Sequence, residues 1–509
     1  MKHPRHPLSL AIVAAVALAG CNGAAPNAAP TIAGQVPAPS GATPAGPAMA
    51  EGRIQLLDVQ PGKPADFLTQ AGKSLTIVAS AASYSPGAPS FRLSVTGDTT
   101  ATARAYGLAS VSESAEMPFS HRYSASSRGL LADLEGPTPG LRRLANVGDR
   151  AIGSEEQFWV NTGDSRTTGD RQQTAVLARK SEHAYFNVDK QAKAISQAHL
   201  DRLVSEFEGK IYPRVTAAFG PEVKPGIDGE DRLFIVISPA VDNFGAEKGL
   251  MGYFWSRDAI PSSGEGSHSN QKEVLFMTDK LFDYPELTSF GTLAHEFQHL
   301  INFSQKAART GYTVAEETWL DEGMSMYAME VAGYGLPAGD KHIAKDLNEF
   351  QQKPAAYSLT DWSGNPHGFA YGQSYLFVRY MVDRFGPDVL KEILKADKSG
   401  QAGLDQVLAS RQQSFANLFQ AWTITNLVSD QPISEGTVYR YKNLPLTGDY
   451  GGFELKGFQT TPATSPEVTA ALRPWGSAYY TFSSQEQQAW RFNLGDSGTT
   501  RLLGAAILP

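Results

Sequence analysis

The chain has 509 residues, 41% hydrophobic and 19% charged, with a formal net charge of −8. This length and composition fit a soluble globular protein of two or three domains with at least one large core. The acidic balance argues against a general nucleic-acid binder, which presents a basic face. The single cysteine, Cys21, excludes an intramolecular disulfide and a thiolate-rich metal site.

Residues 1–20 read as a signal peptide. Met1 to His6 form a short basic head, and Leu8 to Ala19 an apolar run too short to span a membrane. The run ends in Leu18-Ala19-Gly20-Cys21, which resembles the bacterial lipobox, so Cys21 is expected to be lipidated and to tether the chain to a membrane. The alternative is a plain secretory signal with an incidental cysteine. Asn22 replaces the aspartate that retains such lipoproteins at an inner membrane, which favours an outer-membrane or surface location, or secretion. Residues 21–52 are mostly Ala, Pro, Gly, Thr and Ser, with no charge before Glu51, and read as a flexible tether.

Residues 53–146 read as a β-rich accessory domain, with strands at Ser74–Ala79 and Ser90–Val95 around a turn at Ser83–Gly87. The stretch from Glu113 to Gly148 has weak periodicity. The region 150–430 opens with strands at Phe158–Val160, Thr174–Ala178 and Ala184–Val188. An amphipathic helix follows over Ala192–Phe219, which Pro213 should kink or split. Further strands are expected at Arg232–Ile237, Gly252–Trp255 and Glu273–Met277, and helices at Ala315–Ala332, Gly368–Phe385, Pro387–Ala396, Leu404–Ser410 and Phe415–Val428. Residues 431–509 return to strands, at Ala478–Phe482 and Ala489–Leu494. The fold class is therefore α+β, a mixed sheet and a helical part flanked by β-rich regions at both ends.

Ala294-His295-Glu296-Phe297-Gln298-His299-Leu300 lies in a run, Phe290 to Phe303, that reads as a helix. Residues four apart stack on one helix face, so His295 and His299 can present two imidazoles to one ion. Glu296 sits roughly 100° further round, beside such an ion, where it could deprotonate a water. A catalytic zinc takes a third protein ligand and leaves one position open. No histidine follows His299 before His342, which excludes the metzincin pattern. A glutamate on a second helix is the other solution, and Glu322 lies close to the apolar face marked by Leu320, Met324 and Tyr327. Glu316, Glu317, Asp321 and Glu330 compete with it; Glu316 and Glu317 are expected at a solvated helix start.

The segments HEFQHLINF and WLDEGMS resemble the gluzincin peptidases, most closely the hyicolysin-type bacterial neutral metalloproteases, with similarity from about Phe158 to Val428. The resemblance implies a zinc-peptidase core, with His295, His299 and Glu322 as ligands of one zinc ion and Glu296 as general base. Related aminopeptidases carry a tyrosine in Tyr-x-Lys-Gly that stabilises the oxyanion; here Tyr371 opens Tyr-Gly-Gln-Ser, and Tyr375 and His367 are alternatives. Their amine-capturing Gly-x-Met-Glu-Asn segment is absent from the sequence, which favours an endopeptidase acting on peptides or proteins. Substrate is expected to add as a strand to an edge of the sheet, with Glu273–Met277 the candidate edge. Asp228, Glu230 and Asp231 could bind calcium, but they lack a recognised ligand spacing and read better as a solvated turn. The rival readings are a surface-binding lipoprotein with an inactive or structural metal site, and a metallohydrolase acting on another bond. Oligomeric state is not legible.

Overall fold

The computed structural model describes residues 53–60, 63, 65–68, 74–82, 90–96, 148–162, 169–243, 250–261, 268–362, 369–431, 437–462, 467–483, 489–494 and 501–507. The signal, Cys21, the tether, the Ser83–Gly87 turn, residues 113–147 and His367 lie outside them. No helix among the described residues is long and apolar enough to cross a membrane.

Four strands precede residue 97: β1 (Ile54–Val59), β2 (Ala65–Leu68), β3 (Ser74–Ala82) and β4 (Ser90–Thr96). The next six are β5 (Glu155–Asn161), β6 (Asp170–Lys180), β7 (Ala184–Asp189), β8 (Leu233–Ile237), β9 (Gly252–Phe254) and β10 (Val274–Met277). These six form one mixed sheet in the order β5-β6-β7-β8-β10-β9. β8 runs parallel to both β7 and β10, and all five of its residues, Leu-Phe-Ile-Val-Ile, are buried, as a strand covered on both faces requires.

The open edge is not the segment Glu273–Met277. β10 is paired on both sides, with β8 and, antiparallel, with β9, so the three-residue β9 is the edge on that side and β5 the edge on the other. The apolar run Val274–Met277 is buried at every position, which suits an interior strand and not an edge.

The amphipathic segment starts later than the periodicity predicts. α1 (Gln197–Glu206) is capped by Ser196, whose hydroxyl accepts from the His199 amide at 3.1 Å. A π-helical turn, Phe207–Ile211, then leads into α2 (Tyr212–Phe219). Pro213 has no N–H for the carbonyl four residues back, and the ladder widens just upstream of it. The motif helix α3 (Glu286–Arg309) buries Phe290, Leu293, Phe297, Leu300 and Ile301. Phe297 meets Phe207 and Tyr212 at ring distances of 5.5 and 5.4 Å, so the split helix packs directly on the motif.

The helical part continues with α4 (Thr318–Ala332), α5 (Lys341–Gln352), α6 (Phe369–Phe385), α7 (Asp388–Leu394), α8 (Gly400–Leu408) and α9 (Phe415–Val428). α5 was not expected from the sequence, although Asp340 caps it through the His342 and Ile343 amides and Ile343, Leu347 and Phe350 fall on one face. The chain closes with a short hairpin, β11 (Thr447–Tyr450) and β12 (Phe453–Lys456), then β13 (Thr461–Pro462), β14 (Glu467–Ala471), β15 (Ser477–Ser483), β16 (Ala489–Leu494) and β17 (Arg501–Ile507). The terminal β segments share two sheets, ordered β1-β17-β3-β15-β13 and β14-β4-β16-β2.

One buried ion pair ties the end of α3 to the approach of α4. Lys306 is fully buried, contacts the Glu316 carboxylate and donates to the Lys398 carbonyl at 3.0 Å. Glu316 also accepts the Gly400 amide at 2.6 Å. Removing only the cation strands a buried carboxylate, so Lys306→Met should lower unfolding free energy by about 3–5 kcal/mol in urea titration. Lys306→Met/Glu316→Leu should restore most of it; a single variant as stable as the parent would show that the pair holds nothing.

Candidate metal centre

Helical stacking on α3 sets His295 over His299, with their Nε2 atoms 3.0 Å apart and their rings nearly perpendicular at 79°. Glu322, on α4, is fully buried and brings one oxygen, Oε2, to 3.2 Å from His295 Nε2 and 3.4 Å from His299 Nε2. A tetrahedral ion bound at about 2.0–2.1 Å spaces its ligand atoms about 3.3–3.4 Å apart. The three atoms therefore form one face of a tetrahedron of zinc size. Two imidazoles and a carboxylate also match the donor set that zinc prefers. Among the described residues this is the one group of three side chains close enough to hold an ion.

The surroundings orient His299. Its Nδ1 lies 3.0 Å from Asp321 Oδ2 and 3.1 Å from the Ser325 hydroxyl. Asn302 in turn donates to Asp321 Oδ1 at 2.5 Å. With Nδ1 carrying the proton toward Asp321, the Nε2 lone pair faces Glu322, as a ligand needs. Burial works against a charged His299, but the Asp321 and Glu322 carboxylates outweigh it and hold the imidazole well above its usual pKa. Burial likewise opposes the Glu322 carboxylate, and His299 and His295 hold it far below the usual carboxylate range. Cation and proton thus compete for one pocket, and metal uptake releases a proton.

Glu296 is 4% exposed, and its Oε2 accepts the Phe254 amide at 2.9 Å. Phe254 ends the edge strand β9, so the sheet edge and this carboxylate share a hydrogen bond. Burial raises its pKa above the ordinary value, against the pull of His295 and His299 and with a smaller push from Glu322. A carboxyl shifted this way can both take up and return a proton.

Tyr371 lies in the first turn of α6, half-buried, its ring 6.5 Å from the His295 ring and edge-on to Trp362 at 5.5 Å. Tyr375 is buried and donates to Glu330 Oε2 at 2.5 Å, so its hydroxyl is engaged elsewhere. The structure brings α6 beside α4 through Gly323: a Cβ there would come within 2.7 Å of the Ser374 carbonyl oxygen. The glycine after Glu322 is thus a packing requirement.

The competing carboxylates all have other partners. Glu316 is buried against Lys306, not at a solvated helix start; the expectation failed because its cation lies across the helical hairpin. Glu317 accepts from the Trp319 indole at 2.9 Å, Glu330 meets Arg379 at 3.3 Å, and Asp321 serves His299. The Asp228–Asp231 turn is also not simply solvated. Asp228 and Glu230 are buried, and Arg150 reaches Glu230 at 3.5 Å and Asp228 at 3.9 Å. The Arg150 guanidinium supplies the positive charge that faces these carboxylates. Sequence reasoning missed the supporting roles of Asn302, Asp321, Ser325 and Phe254. Asn302 follows His299 by three positions on the same face, and Asp321 adjoins Glu322, so the first two left a legible trace.

The sequence matches the family described as Peptidase M30 over residues 165–441, more than half of the chain. The neutral metalloprotease ShpI of Staphylococcus hyicus is 29% identical over 312 residues. That alignment covers 59% of this chain and 64% of ShpI, so the chain spans less than two thirds of the relative's length.

Loss of the carboxylate behind His299 should loosen the ion without unfolding the site. Asp321→Ala should weaken metal affinity by about 10–100-fold in competition with a chromophoric chelator. Unchanged affinity would remove Asp321 from the supporting shell.

Proposed function

Because one family covers more than half of it, this chain belongs to the Peptidase M30 family, and from that premise we propose that it is a zinc-dependent endopeptidase of the gluzincin type. The observation that carries the reading is the convergence of His295 Nε2, His299 Nε2 and Glu322 Oε2 at 3.0–3.4 Å, with buried Glu296 beside them. His295, His299 and Glu322 would hold the ion. Bound there, zinc supplies Lewis acidity, lowering the pKa of water toward about 7 and polarising a carbonyl.

The rest falls to the protein's own groups. Glu296 takes the proton of the attacking water on its carboxylate and returns it to the leaving amine. The Phe254 amide fixes the carboxylate's orientation from the edge strand. An extended peptide adds beside β9, the edge strand of the six-stranded sheet that adjoins Glu296, by main-chain hydrogen bonds. Its scissile carbonyl would then be presented to the Glu296 carboxylate. Tyr371, its ring 6.5 Å from that of His295, offers a phenol to the developing oxyanion. Supported by the missing amine-capturing segment, internal peptide bonds are the substrate class. The region 150–430 is the peptidase domain, and the lipobox-like sequence ending at Cys21 supports reading it as a lipid-anchored or secreted enzyme.

Glu296→Gln should keep its metal and lose about 10²–10⁴ in the rate of casein hydrolysis. Metal content and initial rates check this, and full activity would remove Glu296 as the base. Activity should also fall as pH drops, since protons compete with the ion for the two imidazoles and a protonated imidazole cannot ligate. A profile that stayed flat to about pH 4 would contradict histidine ligation.

A further inference from the structure

The β strands at the two ends of the chain do not make two units. Every ladder formed by β1–β4 is with a strand after residue 460. β1 pairs with β17, from Ile54↔Ile507 to Val59↔Leu502. β3 lies between β17 and β15, antiparallel to both, from Thr76↔Ile507 to Ala82↔Arg501 and from Ser74↔Ser483 to Ser80↔Ser477. β4 lies between β14 and β16, and β2 completes the far side of β16. No ladder joins one of the first four strands to another. Among the described residues the early segment therefore has no sheet of its own, and without it the late segment would expose the edges of β14, β15, β16 and β17.

The shared sheets are also fastened to the helical body. Gln420, on α9, donates to the Leu57 carbonyl at 3.1 Å and to the Gly504 carbonyl at 2.8 Å, one from each segment. Ser80 donates to Thr423 on the same helix at 3.0 Å. The Trp475 amide donates to the Ala81 carbonyl, and the Trp475 carbonyl accepts the Leu359 amide at 3.1 Å. Leu359 leads to Trp362, which packs on Tyr371. Leu75, Ile77, Val78 and Ala79 of β3 are fully buried in this arrangement. Both segments lie outside the matched stretch 165–441.

We propose that residues 53–96 complement the C-terminal strands as a permanent part of one accessory β unit, so that a cut between residues 97 and 147 leaves them bound and releases no pro-segment. Ladders on both sides of β3 and β4 must break together before the early segment can leave, which makes its departure a cooperative unfolding and not a dissociation. Whatever is attached to the early segment, a lipid at Cys21 included, then stays with the catalytic body after such a cut.

The test uses the full chain with a specific-protease site inserted at residue 120. Cutting is done in the Glu296→Gln background, which keeps the result independent of the proposed peptidase activity. The expected result is co-elution of the two pieces in size exclusion under native conditions, with β3 and β17 amides still protected from hydrogen exchange. Separation should come only with unfolding in urea. In the active chain, the same cut should leave the hydrolysis rate unchanged. An early segment that elutes alone from a folded remainder would overturn the proposal, as would a rate that rises sharply on cutting.

Discussion

A carboxylate held out of water between two imidazoles is the constraint on which the rest depends. Removing an ionised carboxylate from solvent costs several kcal/mol, and it is tolerated only where cationic partners and hydrogen bonds surround it. Glu322 is fully buried, with His295 and His299 at 3.2 and 3.4 Å. Those distances require α3 and α4 to lie side by side in a fixed register. Lys306 and Glu316 close the hairpin between them, Asn302 and Asp321 bridge it near the site, and Gly323 lets α6 press against the other side of α4. Each contact joins elements that the site needs in contact.

The same arrangement gives the pocket a direction. Glu296 reaches away from the ligand face to the last amide of β9, so the carboxylate expected to move protons is fixed to one of the two edge strands of the six-stranded sheet. β9 is only three residues long and entirely buried, which leaves little backbone for unintended strand pairing. A substrate added there would be aligned by the strand that also aligns the base.

How far the sequence revealed this depended on the range of the interaction. The motif helix, its two stacked histidines and Glu322 were legible because helical spacing and a following apolar face are local signals. The gluzincin resemblance rested on the same residues. Where pairing is distant, local signals misled. Glu316 read as a solvated carboxylate because Lys306 is its partner only after the hairpin folds. Asp228 and Glu230 do lie in a turn but read as solvated, because Arg150 comes from far upstream. Glu273–Met277 is an interior strand and not an edge, as the unbroken apolar character of Val274–Met277 suits. β1 and β17 escaped notice altogether, since Ile54 and Ile507 meet only across nearly the whole chain. α5 was a local miss: Asp340 and the Ile343-Leu347-Phe350 spacing were both present in the sequence.

X-ray absorption at the zinc edge on the purified protein bears most directly on the claim that one ion sits between α3 and α4. The account predicts two imidazole nitrogens and oxygen ligands in a four-coordinate shell, all at about 2.0–2.2 Å, with one imidazole lost in His295→Ala. A shell of six oxygens without imidazole scattering, or a spectrum that His295→Ala leaves unchanged, would contradict it.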